Sequence, residues 1–270
     1  MSPPDTSLDA LVDQVQRGAK YRSISPQLIR SLLTVELEKR NTPKEAVKAA
    51  RSKLHQVAAA YQEQPIPYSA WLDELTRLPA DLHHPDMLAF LTRAMPAHAS
   101  TRERVSILPR FFAECLAPLG SIASVLDIAC GLNPLAIPWM PLRPGFTYTA
   151  CDIYTDMVGF LNFFFARFGI HGETVTYDVT RGLPPVTADL TLVLKTIPCL
   201  EQMDRDAGQR LLDTITSPNI LVSFPAHSLG GRSKGMVRNY ERRFADLAAG
   251  KPWRITRFEF PGELAFLVQK

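Results

Sequence analysis

Apolar side chains recur at helical spacing throughout the first 96 residues. They stand three or four residues apart, which is the spacing of an amphipathic helix. Ser25 and Thr42 each precede a proline, the arrangement of a helix N-cap followed by its first helical residue. The predicted helices span 7–17, a stretch from Ser25, a stretch from Thr42 to about Tyr61, 68–77 and 85–95. This pattern predicts an all-helical region over residues 1–96.

Beyond residue 96, short apolar runs alternate with helical stretches. The predicted strands are 125–129, 146–150, 173–177, 189–194, 219–224, 253–260 and 263–269. The predicted helices between them are 105–116, 156–168, 206–216 and 236–249. Strands that alternate with helices favour an α/β fold with a parallel sheet, and the last two strands form a hairpin. We therefore predict a second unit over residues 97–270.

The first predicted strand ends in an abrupt break. The run 125–129 stops at Cys130-Gly131 and the chain restarts after Asn133-Pro134. A glycine permits a sharp turn and the close approach of a ligand, because it has no Cβ. Pro134 is suited to the first position of a helix. The stretch therefore predicts a strand, a glycine turn and a helix, the start of a nucleotide-binding α/β fold.

Asp152 closes the second predicted strand, 21 residues beyond Gly131. An acid at this spacing can accept hydrogen bonds from both ribose hydroxyls of an adenosine ligand. The dehydrogenase pattern G-x-G-x-x-G is absent, so a pyrophosphate lacks its usual glycine cradle. S-adenosylmethionine, an adenosine ligand without phosphates, fits better. The alternative is that Asp127 and Asp152 are ordinary polar residues at strand ends.

Two later strand ends carry candidate ligand contacts. Asp178 could accept a hydrogen bond from the adenine amine, with the Val179 N–H near the ring, or it could be a turn aspartate. Lys195 follows the fourth strand and is expected at the mouth of the site, because ligands of open α/β sheets bind beyond the strand carboxyl ends.

A helix start before the first strand could receive a carboxylate. Ser100 and Glu103 have the spacing of a capping box, and Arg102 and Arg104 add positive charge. The carboxylate of a methionine moiety would fit there. An ordinary capped helix with solvated arginines is the other interpretation.

Composition restricts the functional classes. The chain has 270 residues, 46% hydrophobic and 21% charged, which is typical of globular proteins. We expect a cytoplasmic protein, because neither an apolar run of membrane length nor a signal-like start is present. None of its four cysteines forms a C-x-x-C pair, so neither a zinc site nor a redox pair is predicted.

Positive charge is concentrated in the first 60 residues. They hold ten Lys or Arg and six acids, whereas the rest of the chain holds 20 basic and 21 acidic residues. This asymmetry fits either a polyanion partner or a solvated helical surface. The glycine-rich stretch 225–236 after the fifth strand is also basic. It could contact phosphates or form a surface lid.

The motifs together resemble the aminoglycoside-resistance 16S rRNA (guanine-N7)-methyltransferases. The resemblance extends from the region around residues 20–22 to the end of the chain. The matching strings are His98-Ala-Ser-Thr-Arg-Glu-Arg104, Asp127-Ile-Ala-Cys-Gly-Leu-Asn-Pro134, Leu194-Lys-Thr-Ile-Pro-Cys-Leu-Glu201, Ser217-Pro-Asn-Ile220, Ser223-Phe-Pro225 and Ser228-Leu-Gly-Gly-Arg-Ser-Lys-Gly-Met236.

The resemblance implies a class I, Rossmann-like seven-stranded methyltransferase domain behind a helical N-terminal domain that helps bind the small ribosomal subunit. It implies S-adenosylmethionine as donor and a guanine of the decoding-site helix as acceptor. Cofactor positions of the family fall on Tyr61, His98, Ala99, Ser100, Arg104, Ala129, Gly131, Asp152, Asp178, Val179 and Lys195. Near Asp204 relatives carry a cofactor-contacting glutamine, and Gln202 is the candidate substitute here.

Guanine N7 carries a free lone pair, so we expect catalysis by positioning, with Lys195 holding the base and no general base. The expected contacts to 16S rRNA in the 30S subunit are Lys20, Arg22, Arg232, Lys234 and Arg238. We expect a monomer that binds neither DNA nor membrane. The alternatives are methylation of another rRNA position or a small molecule, and a ribosome-binding protein without catalysis.

Overall fold

The computed structural model of the chain describes residues 7–56, 64–226 and 235–270. Five α-helices lie in the described part of residues 1–96: α1 (Leu8–Gln16), α2 (Pro26–Lys39), α3 (Pro43–Leu54), α4 (Tyr68–Arg77) and α5 (Pro85–Ala94). The predicted caps are confirmed, because the Ser25 and Thr42 hydroxyls accept hydrogen bonds from the N–H groups of Leu28 and Glu45. The α-helical part of α3 runs to Leu54, residues 55 and 56 continue it as a π-helical turn, and the helix end predicted near Tyr61 lies outside the described residues.

The remaining described elements are strands and further α-helices. The strands are β1 (Ile122–Ile128), β2 (Leu142–Asp152), β3 (His171–Thr176), β4 (Leu190–Leu194), β5 (Asn219–Pro225), β6 (Arg254–Phe260) and β7 (Glu263–Gln269). The helices are α6 (Ala99–Arg102), α7 (Leu108–Leu116), α8 (Thr155–Phe168), α9 (Ile197–Glu201), α10 (Ala207–Thr214) and α11 (Met236–Ala248). Each predicted strand is present, with bounds that shift by a few residues.

The strands form one sheet, seven-stranded within the described residues, in the order β3-β2-β1-β4-β5-β7-β6. β1 pairs in parallel with both β2 and β4, and β7 runs antiparallel to its two neighbours. The chain moves outward from β1 to β3 and then returns to place β4 on the other side of β1. Such a reversal opens a crevice beyond the strand carboxyl ends, and this is where the candidate site lies.

Two helices differ from their prediction, and a proline explains each difference. Asn133–Trp139 is a 3-10 helix, not the α-helix expected to start at Pro134, because Pro138 has no N–H to donate in an α-helical turn. The predicted helix 105–116 is divided into a 3-10 turn, Val105–Ile107, and α7. Pro109 explains the division, because a proline is tolerated only in the first turn of a helix.

One hydrophobic cluster unites the helical region with one face of the sheet. It includes Leu11, Leu33 and Phe90 from the helices together with Phe111 and Tyr148. A second cluster lies on the other face, between the sheet and helices α9 to α11. The helical region is therefore packed directly on the sheet through shared apolar side chains.

A short antiparallel bridge also joins the two regions. Ile24 pairs with Tyr154. The Ser25 N–H donates to the Ile153 carbonyl at 2.8 Å, and the Thr155 N–H donates to the Ser23 carbonyl at 2.8 Å. The bridge attaches the start of α2 to the residues that directly follow Asp152.

Candidate active site

A cleft lies at the carboxyl ends of β1, β2, β3 and β4, and its empty space, counted out to the solvent at its opening, is about 710 Å³. Seven of the sequence-predicted cofactor residues line it: His98, Ser100, Ala129, Asp152, Asp178, Val179 and Lys195. Leu28 of α2 also lines it, so the helical region supplies part of the wall. The structure therefore brings most of the predicted site together.

Gly131 and Asp152 form one hydrogen-bonded unit. Ala129 and Gly131 have φ values of 50° and 53°, so the chain turns sharply after β1. The Gly131 N–H donates to Asp152 Oδ2 at 2.8 Å, and the Ile153 N–H donates to Oδ1 at 2.7 Å. Burial raises the pKa of Asp152, and these backbone donors oppose the rise. The acid is thus fixed at the turn, as a ribose-binding carboxylate must be.

Asp178 keeps one acceptor unused. Its Oδ1 accepts from the Thr180 N–H at 3.0 Å and from the Thr180 hydroxyl at 2.6 Å. Its Oδ2 is buried and has no hydrogen-bond partner among the described residues. Buried polar atoms are almost always paired, so an orphan acceptor in a cleft wall suits a ligand that donates a hydrogen. An adenine exocyclic amine is such a donor.

His98 and Ser100 pack against the glycine turn. His98 Nδ1 lies 2.8 Å from Ser100 Oγ. A Cβ on Gly131 would lie 2.8 Å from His98 Nδ1, so only glycine fits at this turn. Burial lowers the pKa of His98 to about 4, and the charge of Arg102 contributes. His98 is therefore neutral at pH 7 and adds no charge to the cleft.

Lys195 brings a buried ammonium group to the cleft. Its backbone has a φ of 58°, a region that a side chain with a Cβ rarely occupies. The ammonium Nζ lies 2.5 Å from Glu103 Oε2 and 3.3 Å from Glu263 Oε2. It also donates to the Ser100 carbonyl at 3.4 Å. Glu103 thus binds Lys195, and the predicted capping box does not form, because Ser100 lies inside α6 and His98 is its N-cap.

Glu263 is the residue that the sequence did not reveal. It accepts the Arg104 guanidinium at 2.6 Å and the Ser223 hydroxyl at 2.6 Å, and it is fully buried. Burial alone would raise the pKa of Glu263, but the charges of Arg104 and Lys195 outweigh it and the pKa is lowered. The sequence did contain one signal for Glu263, an acid at the first position of an otherwise apolar strand.

Arg104 lies behind the cleft and does not line it. Besides Glu263, its guanidinium donates to Asn133 Oδ1 at 2.9 Å. The Asn133 amide in turn donates to Asp127 Oδ2 at 2.8 Å, which also accepts from the Tyr148 hydroxyl at 2.7 Å. Asp127 is therefore part of a buried network behind the site and does not contact the cleft.

Four other predicted cofactor residues do not line the cleft. Gly131 lies beside it and contacts Asp152 through its N–H. Ala99 is buried at the start of α6, between His98 and Ser100. Gln202 is exposed at the end of α9. Asp204 is exposed and pairs with Arg210, which lowers its pKa. Met203, between the last two, reaches the cleft instead.

The predicted RNA contacts in the described part of the chain are exposed. Lys20 and Arg22 lie just before the bridge at Ser23–Ser25, and Arg238 lies on the first turns of α11. Tyr61, Arg232 and Lys234 lie outside the described residues. No group of three metal-ligating side chains occurs within residues 7–56, 64–226 and 235–270. Over the same ranges, every helix is too short or too polar to cross a membrane.

Comparison with known proteins gives consistent matches over the full chain. A family profile described as "Ribosomal RNA methyltransferase (FmrO)" matches residues 17–267. A 16S rRNA (guanine(1405)-N(7))-methyltransferase of Micromonospora echinospora is 35% identical over 271 residues, covering 100% of this chain and 99% of the relative.

Two solved structures are similar in fold along nearly the whole chain. The 16S rRNA methyltransferase RmtF, in complex with S-adenosyl-L-homocysteine, superposes with a TM-score of 0.82 and 28% identity. The 16S rRNA methylase RmtB superposes with a TM-score of 0.80 and 27% identity. Each match covers 98% of this chain and 99% of the other.

Proposed function

The chain belongs to the ribosomal RNA methyltransferase (FmrO) family, and we propose that it methylates N7 of a guanine in the decoding-site helix of 16S rRNA. The methyl donor is S-adenosylmethionine, and the substrate is the 30S subunit. The product confers aminoglycoside resistance on the ribosome. The 35% identity to a guanine(1405)-N7 enzyme along the full chain supports this acceptor.

The single observation that carries the proposal is the pair of buried acids at neighbouring strand ends. Asp152 is fixed at the glycine turn, and Asp178 presents an unpaired Oδ2. We propose that Asp152 accepts the ribose hydroxyls and that Asp178 accepts the adenine amine, with the Val179 N–H beside the ring. These two contacts suit a nucleoside and require no phosphate cradle.

The proposed methyl transfer requires that the methyl donor and guanine N7 be held in position. When bound, S-adenosylmethionine supplies a methyl group made electrophilic by its sulfonium. Guanine N7 already carries a lone pair, so no side chain has to remove a proton before transfer. Among the described residues that line the cleft, Lys195 carries the cationic side chain, and we propose that it orients the target base. Holding two reactants in a productive geometry can supply much of a rate enhancement.

We propose that residues 1–96 act as a domain that binds the 30S subunit and that residues 97–270 form the methyltransferase domain. Lys20, Arg22 and Arg238 are exposed cations suited to phosphates, and Arg232 and Lys234 complete the proposed RNA contacts. We also propose a monomer that binds neither DNA nor membrane. Because its substrate is a ribosomal subunit, the enzyme acts in the cytoplasm.

The direct test is primer extension on 16S rRNA from expressing cells after borohydride and aniline cleavage, which reports N7-methylguanine. We expect a stop at one decoding-site guanine and growth on kanamycin and gentamicin. The matched control is D152A, which should abolish both effects. A stop before borohydride treatment at a nearby adenine would indicate N1 methylation instead.

The alternatives are separated in vitro. Calorimetry with S-adenosylhomocysteine distinguishes an enzyme from a ribosome-binding protein without catalysis. Intact 30S subunits, free nucleosides and small amines, offered with radiolabelled donor, distinguish the acceptors. The double variant R232A/K234A should reduce methylation of 30S subunits, with a steep dependence on salt. Unchanged methylation by this variant would remove both residues from the RNA contacts.

A further inference from the structure

We propose that Glu103 limits the affinity of the cleft for its ligand by competing with the ligand carboxylate for Lys195. This inference rests on the proposed function, because it concerns the methionine end of the methyl donor. Glu103 adjoins the cleft through Lys195, and its side chain is 30% exposed. It would be a specificity-determining residue for the anionic end of the ligand.

Lys195 is the cation that a ligand carboxylate can reach. Among the described residues that line the cleft, Lys195 is the one Lys or Arg. His98 also lines the cleft, but burial keeps it neutral at pH 7. Arg104 is charged but lies behind the wall, where Glu263 and Asn133 engage its guanidinium. A carboxylate in the cleft therefore has Lys195 as its counter-ion.

The charges around Lys195 are already balanced. Two cations, Arg104 and Lys195, face two carboxylates, Glu103 and Glu263. The Lys195 ammonium has three N–H donors, and Glu103, Glu263 and the Ser100 carbonyl already lie within 3.4 Å of it, so a ligand carboxylate has to displace one of these acceptors. Binding a carboxylate is therefore easiest if one of the two resident acids moves away.

Glu103 is the resident acid that can move. Glu263 is fully buried and accepts hydrogen bonds from Arg104 and from the Ser223 hydroxyl, so its removal would leave buried donors unpaired. Glu103 is partly exposed, and its carboxylate can turn into water. Its ion pair with Lys195, at 2.5 Å, is the contact that a ligand carboxylate replaces.

The variant E103Q tests the exchange. Glutamine keeps an acceptor for the Lys195 ammonium but removes the negative charge, so a ligand carboxylate no longer competes with a resident ion. We expect E103Q to bind S-adenosylhomocysteine about three- to tenfold more tightly than the wild type, the scale of one partly buried ion pair. The measurement is titration calorimetry at low salt.

A second ligand tests whether the effect of E103Q depends on the carboxylate of the ligand. 5′-Methylthioadenosine has the same nucleoside and thioether but lacks the amino-acid group. Its affinity should be the same for the wild type and E103Q. The control variant is E74Q, which removes the charge of a partly exposed glutamate that pairs with Arg93 at 2.6 Å in the helical region. E74Q should leave the affinity for both ligands unchanged.

Each other outcome overturns the proposal. Weaker binding of S-adenosylhomocysteine by E103Q would mean that Glu103 attracts the ligand's ammonium group. Equal changes for the two ligands would indicate a general effect on the cleft, and no change would mean that Glu103 does not compete. If the wild-type protein binds neither ligand, the proposed function itself fails, which is a separate result.

Discussion

The carboxylate of Glu263 and the guanidinium of Arg104 meet at 2.6 Å although both side chains are almost completely buried. The two residues are 159 positions apart in the chain. Their contact joins the last strand, β7, to the segment between α6 and α7. The same carboxylate lies 3.3 Å from the Lys195 ammonium. One acid thus contacts two cations, Arg104 behind the cleft and Lys195 in its wall.

Removing this acid should destabilise the protein strongly. E263A leaves Arg104 buried without its carboxylate, so we expect the free energy of unfolding to fall by about 3–5 kcal/mol. Urea denaturation followed by circular dichroism measures the loss. The control is E259A, whose glutamate pairs with Arg257 at the surface and should contribute less than about 1 kcal/mol. Similar losses for the two variants would contradict this account.

Changing Asp178 should alter which base the cleft prefers. In D178N the amide oxygen can still accept from Thr180, but an NH2 group replaces the unpaired Oδ2. Two donors then face each other, so we expect binding of S-adenosylhomocysteine to weaken about tenfold or more. S-inosylhomocysteine, which has a carbonyl in place of the amine, should instead bind better to D178N than to the wild type. Calorimetry with both ligands is the test, and unchanged preference would exclude an Asp178 contact to the base.

Asp127 should make stability depend on pH. Burial raises its pKa to about 7, against which the Asn133 and Tyr148 hydrogen bonds act only partly. The unfolded chain loses this proton near its ordinary pKa of 3.8, whereas the folded protein retains it up to about pH 7. Stability is therefore expected to fall as pH rises from about 4 to about 7, and then to level off.

The variant D127N isolates that effect, because asparagine does not titrate. Chemical denaturation between pH 4 and pH 8.5 should give a flatter profile for D127N over this window. Asp152, whose pKa burial also raises, is present in both proteins. Parallel profiles for the two proteins would show that Asp127 is ionised throughout.

Gly131 should tolerate no side chain. In G131A, a Cβ would lie 2.8 Å from His98 Nδ1, at a φ of 53°. The strain costs about 1–2 kcal/mol, and the displaced His98 should weaken binding of S-adenosylhomocysteine. G145A is the matched control, because Gly145 also has a positive φ, 73°, but nothing within 4 Å. We expect G145A to lose stability and keep its affinity, and equal affinity in both variants would contradict the role of the turn.

The sequence predicted the strands and the cleft because their signals are local. The apolar run before Gly131 and the spacing to Asp152 each lie within a short stretch, and the Gly131 N–H does contact Asp152. Glu263 escaped prediction because its partners, Arg104 and Ser223, come from distant parts of the chain. Glu103 was interpreted as a helix cap for the same reason, since its partner Lys195 is 92 residues away.

The bridge between Ile24 and Tyr154 bears on how the two regions can be separated. A fragment that begins near residue 97 would lose Leu28 from the cleft wall and would leave the Ile153 carbonyl without the Ser25 N–H. It would also expose the face of the sheet on which the helices pack. The helical region is therefore not separable from the sheet. Its transfer to another methyltransferase would also require transfer of the residues after β2 that form the bridge.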